Sequence, residues 1–250
     1  TAGTHPIRQA LGNLLDAPSL YGPIIYLKSP IVMRQLELSL GADALRDGLR
    51  EYLRRFAFCA ASWPDLLEIL QKRTPLDLGA WSRDWIETAG RPVIEAALHL
   101  TDGTVSALDL RQQEAPAAGT TWPQHLVVTL GTAGAEVNLP VAWQGSTPVR
   151  DAAGRAAPDF ILANGRGLGY GECRLDPPSR AWLLQHLPQV RDPLTRASAW
   201  LTLWDEVLGG RAAPDALLDL ALAAIPREEV ALNRQRILVT LERTFWILLP

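Results

Sequence analysis

The spacing of apolar residues changes twice along this chain, and those two changes constrain the fold more than any other feature. From Pro30 to Glu87 the spacing is helical. Met33, Leu36 and Leu40 recur at three and four residues, and Leu45, Leu49, Leu53 and Phe56 continue the stripe after Gly41. Such stripes predict amphipathic helices facing a core. Ser62 with Asp65 reads as an N-cap in which Asp65 complements the helix dipole. Gly90 and Pro92 stop the helical pattern. From Val93 to Leu175 short β-favouring runs take over: Val105 to Leu110, Leu126 to Leu130, Leu139 to Trp143 and Phe160 to Leu162, separated by turn residues. From Pro177 helices return, with Ser179 capping Ala181 to His186, then Leu194 to Leu208, Asp215 to Ala224 and Glu228 to Leu249. The expected architecture is α+β and multidomain: helices over 1–91, a small antiparallel β-sandwich over 92–176, and helices over 177–250. The last segment reads as the opening of a helical-hairpin array. Its Phe-Trp-Ile-Leu-Leu run before Pro250 is expected either to be buried or to have lost partner helices.

Composition narrows the function classes. The 250 residues carry a formal net charge of -3 and no basic stripe, which argues against nucleic acid as a partner. No apolar run reaches transmembrane length and no signal peptide is visible, so no membrane partner is expected. Cys59 and Cys173 are too few for a disulfide framework, and free thiols in a reducing cytoplasm are the favoured reading. The chain opens Thr1-Ala2-Gly3 and its only methionine is Met33, so it reads as processed or excised.

Two apparent motifs fail on context. Gly165, Gly167, Gly169 and Gly171 follow a strand, but Glu172 to Leu175 reads as another strand. A dinucleotide site needs a helix there, so a glycine-rich hairpin opened by Asn164-Gly165 is expected. His5, His99, His125 and His186 show no metal-ligand spacing, and H-E-x-x-H is absent. No nucleophile elbow marks a Ser-His-Asp triad.

The informative segment is Tyr26-Leu27-Lys28-Ser29-Pro30-Ile31-Val32-Met33. By itself it is a tyrosine before an amphipathic helix, and an aromatic packed on the helix start would explain it. The segment resembles the Tyr-x-Lys-Gly sequence of the aminopeptidase N family of gluzincins, which opens a long helix downstream of the zinc motif. Tyr26 and Lys28 match, whereas Ser29 stands for the usual glycine and Pro30 follows. A proline is tolerated in the first helical turn. Further pieces are similar to the family in the same order: Thr4 to Ile7, Phe58 to Leu67, Trp81 to Trp85, and Leu194 to Asp205.

The resemblance implies a fold and a chemistry. The three segments become the helical tail of a thermolysin-like catalytic domain, a β-sandwich, and the start of a C-terminal helical domain. The activity implied is removal of N-terminal residues from peptides by a zinc enzyme. Zinc ligands, general base and the acidic groups that hold the substrate amine would lie upstream, in the rest of the parent chain, so no zinc is expected in these 250 residues and the chain alone should be inactive. Tyr26 is the one catalytic residue carried over, as a hydrogen-bond donor to the oxyanion. A phenol suits this, because it stays protonated near neutral pH. Lys28 reads as a solvated charge, and His5 receives no role. Two other readings stay open: a metal-free relative serving as a scaffold or interaction module, and a stand-alone binding protein using its β-sandwich.

Overall fold

A computed structural model describes residues 5–9, 11–13, 15, 22, 24–113, 121–132 and 134–248. Thr4 of the first family-like segment and Leu249 at the end of the last expected helix lie outside the described residues. The chain divides into two compact units. One comprises Thr1–Arg91 with Glu114–His125, the other Pro92–Gln113 with Leu126–Pro250.

The first unit is helical. A five-residue π turn, Ile24–Lys28, runs directly into α1 (Ser29–Leu40), with Pro30 in the first turn where its missing N–H costs nothing. α2 (Ala42–Arg55) carries Asp43 in its first turn and Arg54 and Arg55 in its last, matching the helix dipole at both ends. α3 (Trp63–Gln71) starts as expected at Ser62. Asp65 accepts hydrogen bonds from the Ser62 N–H at 2.8 Å and its hydroxyl at 2.5 Å, and these hold the Asp65 carboxyl below its ordinary range. α4 (Leu78–Ser82) is capped by Asp77 and followed by a second π turn, Arg83–Glu87. Val32, Leu36, Ile69, Leu70, Leu78, Trp81 and Trp85 are buried. The expected stripe fails at one place. Leu53 is 69% exposed, and the buried residue of α2 is Gly48. A Cβ there would lie 2.4 Å from Leu70 Cδ2, so α2 approaches α3 through a position with no side chain.

Two sheets follow, and all of their strand residues except Gln124 and His125 fall in the second unit. The strands are β1 (Val93–Thr101), β2 (Thr104–Gln113), β3 (Gln124–Gly131), β4 (Glu136–Trp143), β5 (Ser146–Pro148), β6 (Phe160–Leu162) and β7 (Glu172–Arg174). Their order is β5-β2-β1-β7 in one sheet and β4-β3-β6 in the other. β1 and β2 form a hairpin closed by Asp102-Gly103, both with positive φ (50° and 74°), the backbone of a tight two-residue turn. Two expectations need correction. The glycine-rich segment is not a hairpin: β6 pairs with β3 and β7 with β1, so the glycines carry the chain from one sheet to the other. Asn164 braces that crossover, accepting from Gly169 N at 2.9 Å and donating to Gly169 O at 3.1 Å. The sheets are also not wholly antiparallel. β7 joins β1 in parallel, an orientation that a crossover allows and a tight hairpin does not.

Helices α5 (Pro177–His186), α6 (Pro193–Leu208), α7 (Pro214–Ala224) and α8 (Ala231–Arg243) complete this unit. α5 begins two residues before the expected cap at Ser179. Asp176 is the cap, accepting from Ser179 N at 2.9 Å, and the two prolines occupy the first turn. Ser179 Oγ instead accepts from Ile161 N at 2.8 Å, tying α5 to β6. Phe160 and Leu162 pack with Leu183, Trp200, Leu203 and Leu220 of these helices, while Ile161 packs with Ile94, Leu126 and Val128 of the sheets. β6 is therefore buried on both faces, as the alternation of a strand dictates. In the last π turn, Thr244–Leu248, Phe245, Trp246 and Ile247 are exposed and Leu248 packs on the helical core. Among the described residues no helix is long and apolar enough to cross a membrane.

Candidate functional site

Tyr26 sits on the π turn that leads into α1. The N–H groups of Ile25 and Tyr26 both donate to Gly22 O at 3.1 Å, and Ser29 Oγ donates to Ile24 O at 3.0 Å, so the turn is fastened at both ends. Turns of this kind are rare overall, and those that occur are frequently at functional sites. Tyr26 is 64% exposed. Its hydroxyl meets no hydrogen-bond partner among the described residues, and a donor held out in this way is free to meet a ligand. Ser29, Val32 and Met33 on the next turns of α1 border an apolar recess of about 390 Å³, completed by Ile7, Trp63 and Ile86 among others.

Lys28 requires correction. It is buried rather than solvated, and burial pushes its ammonium below the ordinary lysine range. His5 is exposed on the segment before the turn. The other histidines lie on separate elements. His99 is in β1 and His125 is at the start of β3. His186 is at the end of α5, stacked on Trp182 with ring centroids 4.9 Å apart. Burial lowers the His125 imidazole from its ordinary value. Trp81 and Trp85 of the tryptophan-bearing segment are buried and stacked 6.0 Å apart, so they act in packing.

One feature near Tyr26 escaped the sequence reading. Gln35, on α1, is fully buried and hydrogen-bonds the backbone of His125 twice, Nε2 to O and N to Oε1, both at 2.7 Å. A glutamine set between Val32 and Leu36 on the inward face was the available signal, since a buried amide must find partners.

Among the described residues no three His, Cys, Asp or Glu side chains come together as a metal site would require. The described residues do not fit a zinc ion, and no catalytic step through zinc follows from them.

The first 85 residues match the model of the Peptidase family M1 domain. The chain is 34% identical to aminopeptidase N of Streptomyces lividans over 90% of its own length and 28% of that protein. It is 33% identical to aminopeptidase N of Lactobacillus helveticus over 38% of this chain and 12% of that one. It is 26% identical to the puromycin-sensitive aminopeptidase of Caenorhabditis elegans over 54% and 15%. The match to the Streptomyces protein runs through both units. The chain belongs to the aminopeptidase N family, a zinc-dependent family in general. It spans only 28% of the length of its Streptomyces relative.

Proposed function

We propose that this chain is part of a zinc aminopeptidase that removes N-terminal residues from peptides, and that Tyr26 is its oxyanion donor. Amide hydrolysis passes through a tetrahedral intermediate whose former carbonyl oxygen is negatively charged. A phenol aimed at that oxygen gains strength as the charge develops, and one such donor is worth roughly 2.7–4 kcal/mol. The observation that carries this reading is the outward Tyr26 hydroxyl on a fastened π turn, within the stretch that matches the peptidase domain. Zinc ligands, general base and amine-binding groups belong to other parts of the parent, which together with the peptide substrate are the partners of these residues. The chain alone is inactive on this reading. Its segments 1–91, 92–176 and 177–250 are the tail of the catalytic domain, a β-sandwich and part of a helical domain. Cys59 and Cys173 form no disulfide, which suits a reducing cytoplasm.

The Ser29-Pro30 departure gives no support to the scaffold alternative. Ser29 braces the turn through Ile24 O, and Pro30 sits in the first turn of an unbroken helix. The experiment is Tyr26→Phe in the full-length enzyme, with kcat, KM, bound zinc and melting temperature measured together. We expect kcat to fall on the order of 100-fold or more, with zinc content unchanged. Unchanged kcat with a large drop in melting temperature would make Tyr26 an ordinary packing aromatic.

A further inference from the structure

We infer that residues 121–125 form a strap that positions Tyr26, and that Gln35 is the positioning residue through which the strap acts. The strap follows β2 and opens β3 in the sequence, yet it belongs to the compact helical unit. Three attachments hold it there. Trp122 is fully buried, and its Nε1 donates to Asp84 O at 2.7 Å. Trp85 Nε1 donates to Pro123 O at 3.1 Å. The paired bonds between the Gln35 amide and the His125 backbone, both 2.7 Å, complete the set. A side-chain amide here offers the donor and acceptor that a neighbouring strand would offer, so β3 begins on a partner supplied by α1.

The link to Tyr26, on whose assignment this inference rests, is mechanical. Tyr26 is largely exposed and its hydroxyl has no hydrogen bond among the described residues. Its position is therefore set by the turn and helix beneath it. Gln35 lies nine residues farther along, about 13 Å at a helical rise of 1.5 Å per residue. A rigid element of that length converts a pivot of about 5° at Gln35 into a displacement of about 1 Å at the tyrosine, enough to cost up to about 100-fold in a positioned reaction. Because Gln35 is buried, losing its amide also strands the His125 N–H and C=O, so the strap has no equivalent second arrangement. A clamp that served packing alone would have no reason to act on one hydroxyl. That difference can be measured.

The test is a double-mutant cycle of Gln35→Met and Tyr26→Phe in the full-length enzyme. Methionine keeps length and helix propensity and removes both hydrogen bonds. We expect Gln35→Met to lower kcat about tenfold with KM within about twofold. In the Tyr26→Phe background the same change should have little further effect, because the positioned group is already gone. Gln35→Leu repeats the cycle should the methionine variant fail to fold. In the 250-residue chain, Gln35→Met should speed amide hydrogen exchange over residues 26–40 and leave β1 and β2 unchanged. An equal loss of kcat in both backgrounds, or a lower melting temperature with unchanged kcat, would overturn the strap's role and leave Tyr26 standing. Normal kcat for Tyr26→Phe alone would remove the tyrosine assignment and this inference with it.

Discussion

Glu228 illustrates what a buried carboxylate requires of its surroundings. It is 4% exposed and takes both Arg196 guanidinium contacts at 2.8 Å, with further bonds from Val230 N at 3.0 Å and Asn233 Nδ2 at 3.3 Å. The Arg196 hydrogen bonds come first among the causes that hold its carboxyl below the ordinary glutamate range. A depressed folded pKa stabilises the protein above the unfolded value, about 4.3 for glutamate, and this contribution is lost as pH falls through the folded pKa. Glu228→Gln should therefore cost roughly 3 kcal/mol near pH 7, the lower end for a broken buried pair, because Arg196 keeps the carbonyls of Val190 and Arg191. The gap between variant and parent should narrow as pH falls below about 4. Urea unfolding at several pH values checks this. A gap independent of pH would mean that Glu228 is not the ionised partner.

Among the elements, the approach of α2 to α3 through Gly48 yields the sharpest prediction. Alanine would improve helix propensity by about 1 kcal/mol, while overpacking against a buried side chain costs about 1–3 kcal/mol. Leu70 is fully buried and cannot swing clear of a Cβ at 2.4 Å, so the clash should win. We expect Gly48→Ala to lower stability by roughly 1 kcal/mol in thermal unfolding, and a rise in melting temperature would refute the close approach. The same pair of helices shows what a sequence displays. Their existence followed from three- and four-residue spacing, and the Ser62–Asp65 start followed from capping chemistry. That Leu53 faces solvent and Gly48 faces the core was hidden, because spacing reports a face and not what packs on it. β1 was not singled out from the sequence although Asp102-Gly103 marks its hairpin, since its mixed run Val-Ile-Glu-Ala-Ala-Leu-His lacks clean alternation. The glycine-rich crossover was mistaken for a hairpin because the partners of β6 and β7 lie elsewhere in the sequence.

For the whole molecule, the order helix, strand, helix was legible, whereas the attachment of the strap to the helical unit was not. The bonds that fasten it join residues 38 and 90 positions apart, and no local pattern carries such a pairing. Tyr26 became a candidate only through resemblance, since its residue type and spacing alone fit a packing aromatic equally well. The dispersal of the metal-capable side chains gives the last prediction. A protein zinc site needs at least three ligands within about 2.0–2.3 Å of one point. Among the described residues no such group of His, Cys, Asp or Glu exists, and the four histidines sit on four separate stretches of chain. The purified 250-residue chain should therefore retain well under one equivalent of zinc after dialysis. Its melting temperature should be the same with added zinc and with chelator, because a ligand that binds only the folded state would raise it. Aminoacyl anilides should be cleaved no faster than in buffer. Atomic-emission analysis, paired thermal melts and a reporter assay with and without chelator make the comparison. Chelator-sensitive turnover by this chain, or a zinc-dependent rise in melting temperature at stoichiometric metal, would mean that the ligands lie within these 250 residues after all, and the division of the active site proposed here would have to be abandoned.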